Sequence, residues 1–428
     1  MTEGPSARPT SHARPSNGDG PLSRIRVCDF SGQLAGAGAT RYLAAFGAQV
    51  IRIEDPVRHG RWDILRGSPP FIDDRRGIDL GGAFQNHNVE KLGVTINLRT
   101  ERGRDLVRRL VAISDVVAEN FAAGVLARLG FPYEVLREIR PDVIYVSNSG
   151  LGHSGPYSSF KTWGPIVQAI CGLSFTSGLP DLPPAGWGYS YMDHQGANME
   201  AVAILAALVH RDRTGEGQWI DMSCTDAGAS LLGPPVLDAT VNGRGTRRPG
   251  MPHSNHSQSP VMVPHAIYPS AGDDCWVAIA CRDDRDWCAL TGVIGDARLH
   301  DTRFGTVAGR AAAQDELDGI VASWTRERDK FSTADAVLAV GVPAAPVRTP
   351  EERIDRDPAT AAWGLWPEVE HAAMGRVRVD GLPVHLSESD WCIERGAPTL
   401  GADNDYVFGE LLGCSASDRA ALQEEGAI

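Results

Sequence analysis

Arg24-Ile-Arg-Val-Cys-Asp-Phe30, then Gly32-Gln-Leu-Ala-Gly36-Ala-Gly38, then Ala39-Thr-Arg-Tyr-Leu-Ala-Ala-Phe46, then Gln49-Val-Ile-Arg-Ile53 follow one another in a single stretch. The first piece alternates and concentrates apolar residues as a strand does. The third is a run of small residues with helical spacing, and the fourth is again strand-like. A Gly-rich turn joins the first strand to the helix, so the stretch is a β-α-β unit. Two more units follow. Leu92 to Leu98, Glu101 to Ile113 and Asp115 to Glu119 make one, and the helix at Tyr133 to Ile139 runs into the strand Asp142 to Ser147. Strands alternating with helices predict a Rossmann-like, doubly wound α/β domain with a mostly parallel sheet. Such sheets take ligands in the loops at the carboxyl ends of their strands. Those loops are Ser31 to Gly38, Asp55 to Arg61, Asn120 to Gly124 and Asn148 to Tyr157.

Working outward, Thr2 to Pro21 is rich in Ser, Pro, Gly and Arg without an apolar core, which predicts a disordered tail over 1–22 and not a signal peptide. The large domain begins at 23 and runs to 213. Gly233 to Pro260 is rich in Pro, Gly, Asn and Arg, and the span 214–259 is expected to be a linker. A smaller inserted α/β domain follows at 260–347. It opens with a hairpin, Ala266 to Tyr268 and Trp276 to Ala280. The chain then returns over 348–428 to complete the large domain.

Composition excludes several classes. The net charge of −13 argues against a nucleic-acid or anionic-membrane partner. No apolar run approaches the roughly 18 residues of a membrane span. The eight cysteines form no C-x-x-C pair, which suits reduced thiols in the cytoplasm. His253, Asn255 and His256 lack a nearby carboxylate or cysteine, so no metal site is expected. Two glycine patterns invite a dinucleotide reading and fail it. Arg41 stands where the first pattern needs a small residue. Gly150-Leu-Gly152-His-Ser-Gly155 is followed by Pro156-Tyr157 and not by a helix. No G-x-S-x-G elbow is present for a serine hydrolase.

Attention then falls on Trp187-Gly-Tyr-Ser-Tyr-Met-Asp193-His194-Gln-Gly196, which leads into the apolar run Ala197 to Arg211. An Asp ahead of a helix is a favoured N-cap. Here three aromatic residues crowd the loop before it, and Gly196 and Ala197 leave room beside it for a ligand.

The chain resembles the family III CoA-transferases (the CaiB/BaiF family, with formyl-CoA, carnitine and benzylsuccinate CoA-transferases). The likeness rests on Arg26-Val-Cys-Asp-Phe with Ala35-Gly36, on Phe46-Gly-Ala-Gln-Val-Ile-Arg-Ile-Glu54, and on Asn86-His-Asn-Val-Glu-Lys91. It continues through Asp115-Val-Val-Ala-Glu-Asn120-Phe121, Ser147-Asn-Ser-Gly150 to Tyr157, Tyr191-Met-Asp193, Arg211 to Gln218 and Pro398-Thr-Leu-Gly401. The resemblance implies a CoA-transferase with no permanently bound cofactor, whose substrates are an acyl-CoA thioester and a carboxylic acid. Asp193 would be the nucleophile. It would pass through mixed anhydrides and an aspartyl-CoA thioester. Helix polarity, separately from the resemblance, suggests the N–H groups near Gln195 and Gly196 as oxyanion donors. Residues matched to CoA contacts are Gln33, Leu34, Ala35, Arg99, Asn120, Phe121, Arg128 and Lys161. The family's architecture implies an interlocked homodimer.

Two departures bear on substrate. Asp55 replaces an arginine of the formyl-CoA transferases, and Met251 to Pro260 replaces their run of four glycines. With the aromatic run before Asp193, these point away from oxalate and formate toward a larger acid, aromatic or alicyclic. Alternatives are an α-methylacyl-CoA racemase of the same fold or a non-catalytic acyl-CoA-binding protein. The racemase is disfavoured because Thr162-Trp163-Gly164 lacks that group's histidine.

Overall fold

The computed structural model of the chain describes residues 20–177, 182–186, 189–248, 251 and 255–428. Most of the tail expected at 1–22 lies outside these residues. Its last part does not behave as a tail: Leu22 donates its N–H to Phe46 O at 3.0 Å and packs on the core. Contacts divide the chain into two compact units. One draws on Met1–Ser174, Gly186–Gly233 and Ala361–Ile428, the other on Phe175–Ala185 and Pro234–Thr360.

The first unit is built on a six-stranded sheet. Its strands are β1 (Arg26–Asp29), β2 (Gln49–Glu54), β3 (Leu92–Thr95), β4 (Val116–Glu119), β5 (Ile144–Ser149) and β6 (Trp219–Ser223). They run parallel throughout in the order β3-β2-β1-β4-β5-β6. This is the doubly wound order, with its reversal between β1 and β4. The helices of the crossovers and loops are α1 (Ala35–Ala45), α2 (Gly82–His87), α3 (Glu101–Ala112), α4 (Val125–Arg128), α5 (Tyr133–Ile139), α6 (Gly164–Ile170), α7 (Leu173–Thr176), α8 (Tyr191–Thr214) and α9 (Cys224–Ala229).

The strands read as near-continuous apolar runs because helices cover both faces. Alternate residues sort to opposite layers. Val27, Val50, Val116, Ile144 and Val146 meet Leu43 of α1 and Ile204 and Leu208 of α8. Cys28, Ile51, Ile53, Val94 and Val117 face Leu106 and Leu110 of α3, Leu136 of α5, and Phe408 and Leu422 from the C-terminal part. Each such side chain contributes about 1.5–3 kcal/mol on burial. Thr100 caps α3 by accepting the Gly103 N–H, which fixes where that helix starts.

Two boundaries differ from the sequence reading. Helix α1 starts at Ala35, so Gly36 and Gly38 belong to the helix and not to the turn. The reason is close packing: a Cβ on Gly38 would come within 2.9 Å of Ala197 Cβ on α8. The span 214–259 is not one extended linker. It holds β6, α9 and a further helix at Gly233–Asn242. That helix begins Gly-Pro-Pro, and proline is tolerated in a first turn because its missing N–H has no partner to lose there.

The second unit carries an antiparallel three-stranded sheet ordered Ala344–Pro346, Trp276–Ala280, His265–Pro269. The Ala266–Tyr268/Trp276–Ala280 hairpin stands as expected. Val277, Leu290, Leu317, Val321 and Val337 fill its own core.

Candidate active site

The reversal of strand order between β1 and β4 opens a cleft of about 320 Å³. The loop after β1 (Gly32 to Ala35) and the loop after β4 (Asn120 to Ala122) line it together. Asn148 to Leu151 at the end of β5, Cys224 after β6, Lys161 to Gly164 and Asp193 complete the wall. Gln33, Leu34, Ala35, Asn120, Phe121, Lys161 and Asp193, all singled out from sequence, are thus brought together. Arg99 and Arg128 are not among the lining residues. Both are exposed, in the loop after β3 and at the end of α4.

Asp193 lies in the first turn of α8, three residues beyond the N-cap Ser190. It is therefore not the cap. The helix begins at Tyr191, ahead of the Asp193 cap position read from sequence, anchored by Met192, which is fully buried among Val167, Cys171 and Cys224. Two effects compete on the Asp193 carboxyl. A helix N-terminus favours the anion, and a hydrogen bond to Ser190 acts the same way. Burial opposes both and wins, pushing the carboxyl up to about 6. Gly164 makes this packing possible, since a Cβ there would stand 2.8 Å from Asp193 Oδ2 and 2.9 Å from Ser190 Oγ.

The early helix start has a second consequence. Gln195 and Gly196 lie in the second turn, where i→i−4 pairing occupies their N–H groups. They are not oxyanion donors. Nor do Gly196 and Ala197 leave space for a ligand. A Cβ on Gly196 would meet Cys224 Sγ at 2.7 Å, and Ala197 faces Gly38.

The loops that form the cleft are tied to one another. Asn120 Oδ1 accepts the Gly32 N–H at 2.8 Å, and its Nδ2 donates to Gly32 O at 2.9 Å. Gln33 holds a left-handed backbone, φ 55°. Its N–H donates to Asp63 Oδ2 at 3.0 Å, and Asp63 is fixed in turn by buried Arg52 at 2.5 Å. Glu119 Oε2 accepts the Phe121 N–H at 2.6 Å while Oε1 accepts from Tyr145 Oη, and burial raises the Glu119 carboxyl to about 7. Phe121 packs beside Trp62 with ring centroids 5.5 Å apart.

The aromatic lining differs from expectation. Trp187 and Gly188 lie outside the described residues. Tyr189 is exposed and stacks on His194 at 5.0 Å, and neither lines the cleft. Trp62, Phe121, Phe160 and Trp163 do. They come from three separate segments, so no local run announced them. The lysines divide by role. Lys91 is buried against Asp29 and Asn88, and Lys330 pairs with Glu352, whereas Lys161 stands exposed at the cleft. Asp55 accepts from the Val57 N–H and is not a lining residue. His253 and most of Met251 to Ser254 lie outside the described residues. Among the described residues no group of His, Cys, Asp and Glu could hold a metal ion.

Comparison with known proteins fits this architecture. The sequence profile of CoA-transferase family III matches residues 22–404. A succinate–glutarate CoA-transferase of Agrobacterium fabrum is 35% identical over 395 residues, 91% of this chain and 96% of that one. A succinyl-CoA–D-citramalate CoA-transferase of Chloroflexus aurantiacus is 32% identical, covering 95% and 98%. The crystal structure of a CaiB/BaiF family protein from Brucella suis superposes with a TM-score of 0.82 at 30% identity, over 92% of this chain and all of that one. The chain belongs to CoA-transferase family III.

Proposed function

We propose that the protein moves CoA between carboxylic acids with Asp193 as the nucleophile. The observation that carries this is the placement of the Asp193 carboxylate in the wall of the cleft at the strand-order reversal. An Asp193 oxygen attacks the carbonyl carbon of the donor thioester. The C–S bond breaks, CoA leaves as thiolate and a mixed anhydride remains. The thiolate then attacks the Asp193 Cγ, the anhydride C–O bond breaks, and the donor acid leaves. The acceptor carboxylate repeats these steps in reverse order. Thioester energy is conserved throughout, so the protein's task is to hold the reactants in line and stabilise each oxyanion.

Gln33, Leu34, Ala35, Asn120 and Phe121 form the wall for the CoA arm, and Lys161 supplies positive charge at its rim. Arg99 and Arg128, outside the cleft, serve the nucleotide end at most as surface charges. The two named relatives handle succinate, glutarate and citramalate, all short dicarboxylic acids. That favours short dicarboxylates over the aromatic or alicyclic acid inferred from the Trp187 run.

The protein acts as a homodimer. Helix α8 leaves Met199, Val202, Leu205 and Val209 exposed at 39%, 63%, 41% and 58%, one apolar stripe that a second copy would cover. The scattered cysteines, with no C-x-x-C pair, fit a cytoplasmic enzyme, and among the described residues no helix is long and apolar enough to cross a membrane.

The test is an exchange assay with succinyl-CoA as donor and glutarate, citramalate and benzoate as acceptors. Asp193→Ala is expected to lower exchange by on the order of 10⁴-fold while CoA still binds. Solvent deuterium entering the α-carbon without acyl exchange would point to the racemase instead.

A further inference from the structure

Beneath the cleft, three side chains that are distant in sequence form a buried chain of hydrogen bonds. Cys224 Sγ donates to Asn148 Oδ1 at 2.9 Å, and Asn148 Nδ2 donates to Glu200 Oε2 at 2.7 Å. All three are nearly or wholly buried. Asn148 and Cys224 also line the cleft with Asp193. Glu200 lies two turns beyond Asp193 on the same face of α8, and Gly196 between them is where Cys224 and Asn148 approach the helix.

The two bonds set the amide's orientation, its oxygen accepting from the Cys224 thiol and its nitrogen donating to Glu200. Burial pushes the Cys224 thiol up to about 12, so it keeps its proton. Only one of the two Nδ2 protons is used by Glu200. Among the described residues the other has no acceptor, and Asn148 borders the cleft.

We infer that Asn148 is a catalytic residue whose remaining Nδ2–H stabilises the oxyanion formed when the thioester or anhydride carbonyl is attacked beside Asp193, with Glu200 and Cys224 as its positioning residues. This rests on the transferase chemistry proposed above. It supplies the donor that the Gln195 and Gly196 amides, paired inside α8, do not. At each attack the carbonyl π pair moves onto oxygen, accepts from Asn148, and returns as the leaving group departs. No proton is transferred, so the amide needs no titration to act.

The experiment measures steady-state exchange and single-turnover formation of the CoA adduct in the full-length protein with succinyl-CoA as probe. Asn148→Ala is expected to lower kcat about 10²-fold, the scale of a lost oxyanion donor, with KM for succinyl-CoA within about threefold. Adduct formation should slow by the same factor. Glu200→Gln retains an acceptor and is expected to stay within about threefold of wild type, whereas Glu200→Leu should fall toward Asn148→Ala. Circular dichroism and calorimetric CoA binding establish that each variant is folded. If Asn148→Ala does not fold, the Glu200→Gln and Glu200→Leu pair decides. Wild-type kcat in Asn148→Ala, or equal rates in the two Glu200 variants, overturns the inference. Wild-type protein that forms no adduct and exchanges with no acid overturns instead the transferase chemistry beneath it.

Discussion

Asp193 is a carboxylate that burial keeps partly protonated near neutrality. Only the ionised form is a nucleophile, so the single-turnover rate should fall as pH drops through about 6, well above the range of a free aspartate. Stability carries the opposite sign. A raised folded-state value means the fold favours the neutral carboxyl, so ionisation destabilises it, beginning above the unfolded value near 4 and complete above about 6. Asp193→Asn should therefore melt on the order of 1–2 °C higher than wild type at pH 7 and at the same temperature near pH 3, by calorimetry. Gly164→Ala places a methyl against both Asp193 Oδ2 and Ser190. It should cut kcat about 10–100-fold with little change in CoA affinity, because misplacing a reacting group by about 1 Å costs that much. At this scale the sequence singled out Asp193, which the structure places in the cleft wall, and missed its surroundings. Asn148 and Cys224 are 76 residues apart and Glu200 sits in an apolar helix, so no local pattern joined them.

At the level of elements, the β-α-β pattern predicted the strands well, because burial on both faces leaves an apolar signature in each. The start of α8 was not legible. Tyr191, Asp193, His194 and Gly196 are weak helix formers, and it is the tertiary burial of Met192 that holds them helical. The glycines of α1 read as a ligand turn because close helix packing and phosphate binding demand the same residue. Gly38→Val should force α1 from α8 and cost about 1–3 kcal/mol in a denaturant titration. Asn120→Ala removes both bonds between the β1 and β4 loops. It should raise KM for succinyl-CoA by about tenfold, with a smaller change in kcat, since it loosens the cleft wall without touching Asp193.

For the whole molecule, composition suggested a large doubly wound unit with a small insert at 260–347, whereas contacts assign Phe175–Ala185 and Pro234–Thr360 to the second unit. Proline and glycine at 233–235 signalled a linker and in fact open a helix. The proposed homodimer rests on the exposed stripe of Met199, Val202, Leu205 and Val209 along α8. Val202→Glu together with Val209→Glu should shift the protein from dimer to monomer in sedimentation velocity. An unchanged sedimentation coefficient would place the dimer surface elsewhere.

The central claim is a covalent bond between Asp193 and CoA. Wild-type protein incubated with succinyl-CoA, quenched, digested and sequenced by mass spectrometry is predicted to carry CoA as a thioester on Asp193, and Asp193→Ala is predicted to carry none. Exchange by the wild type with no adduct, or with CoA on another residue, would contradict it.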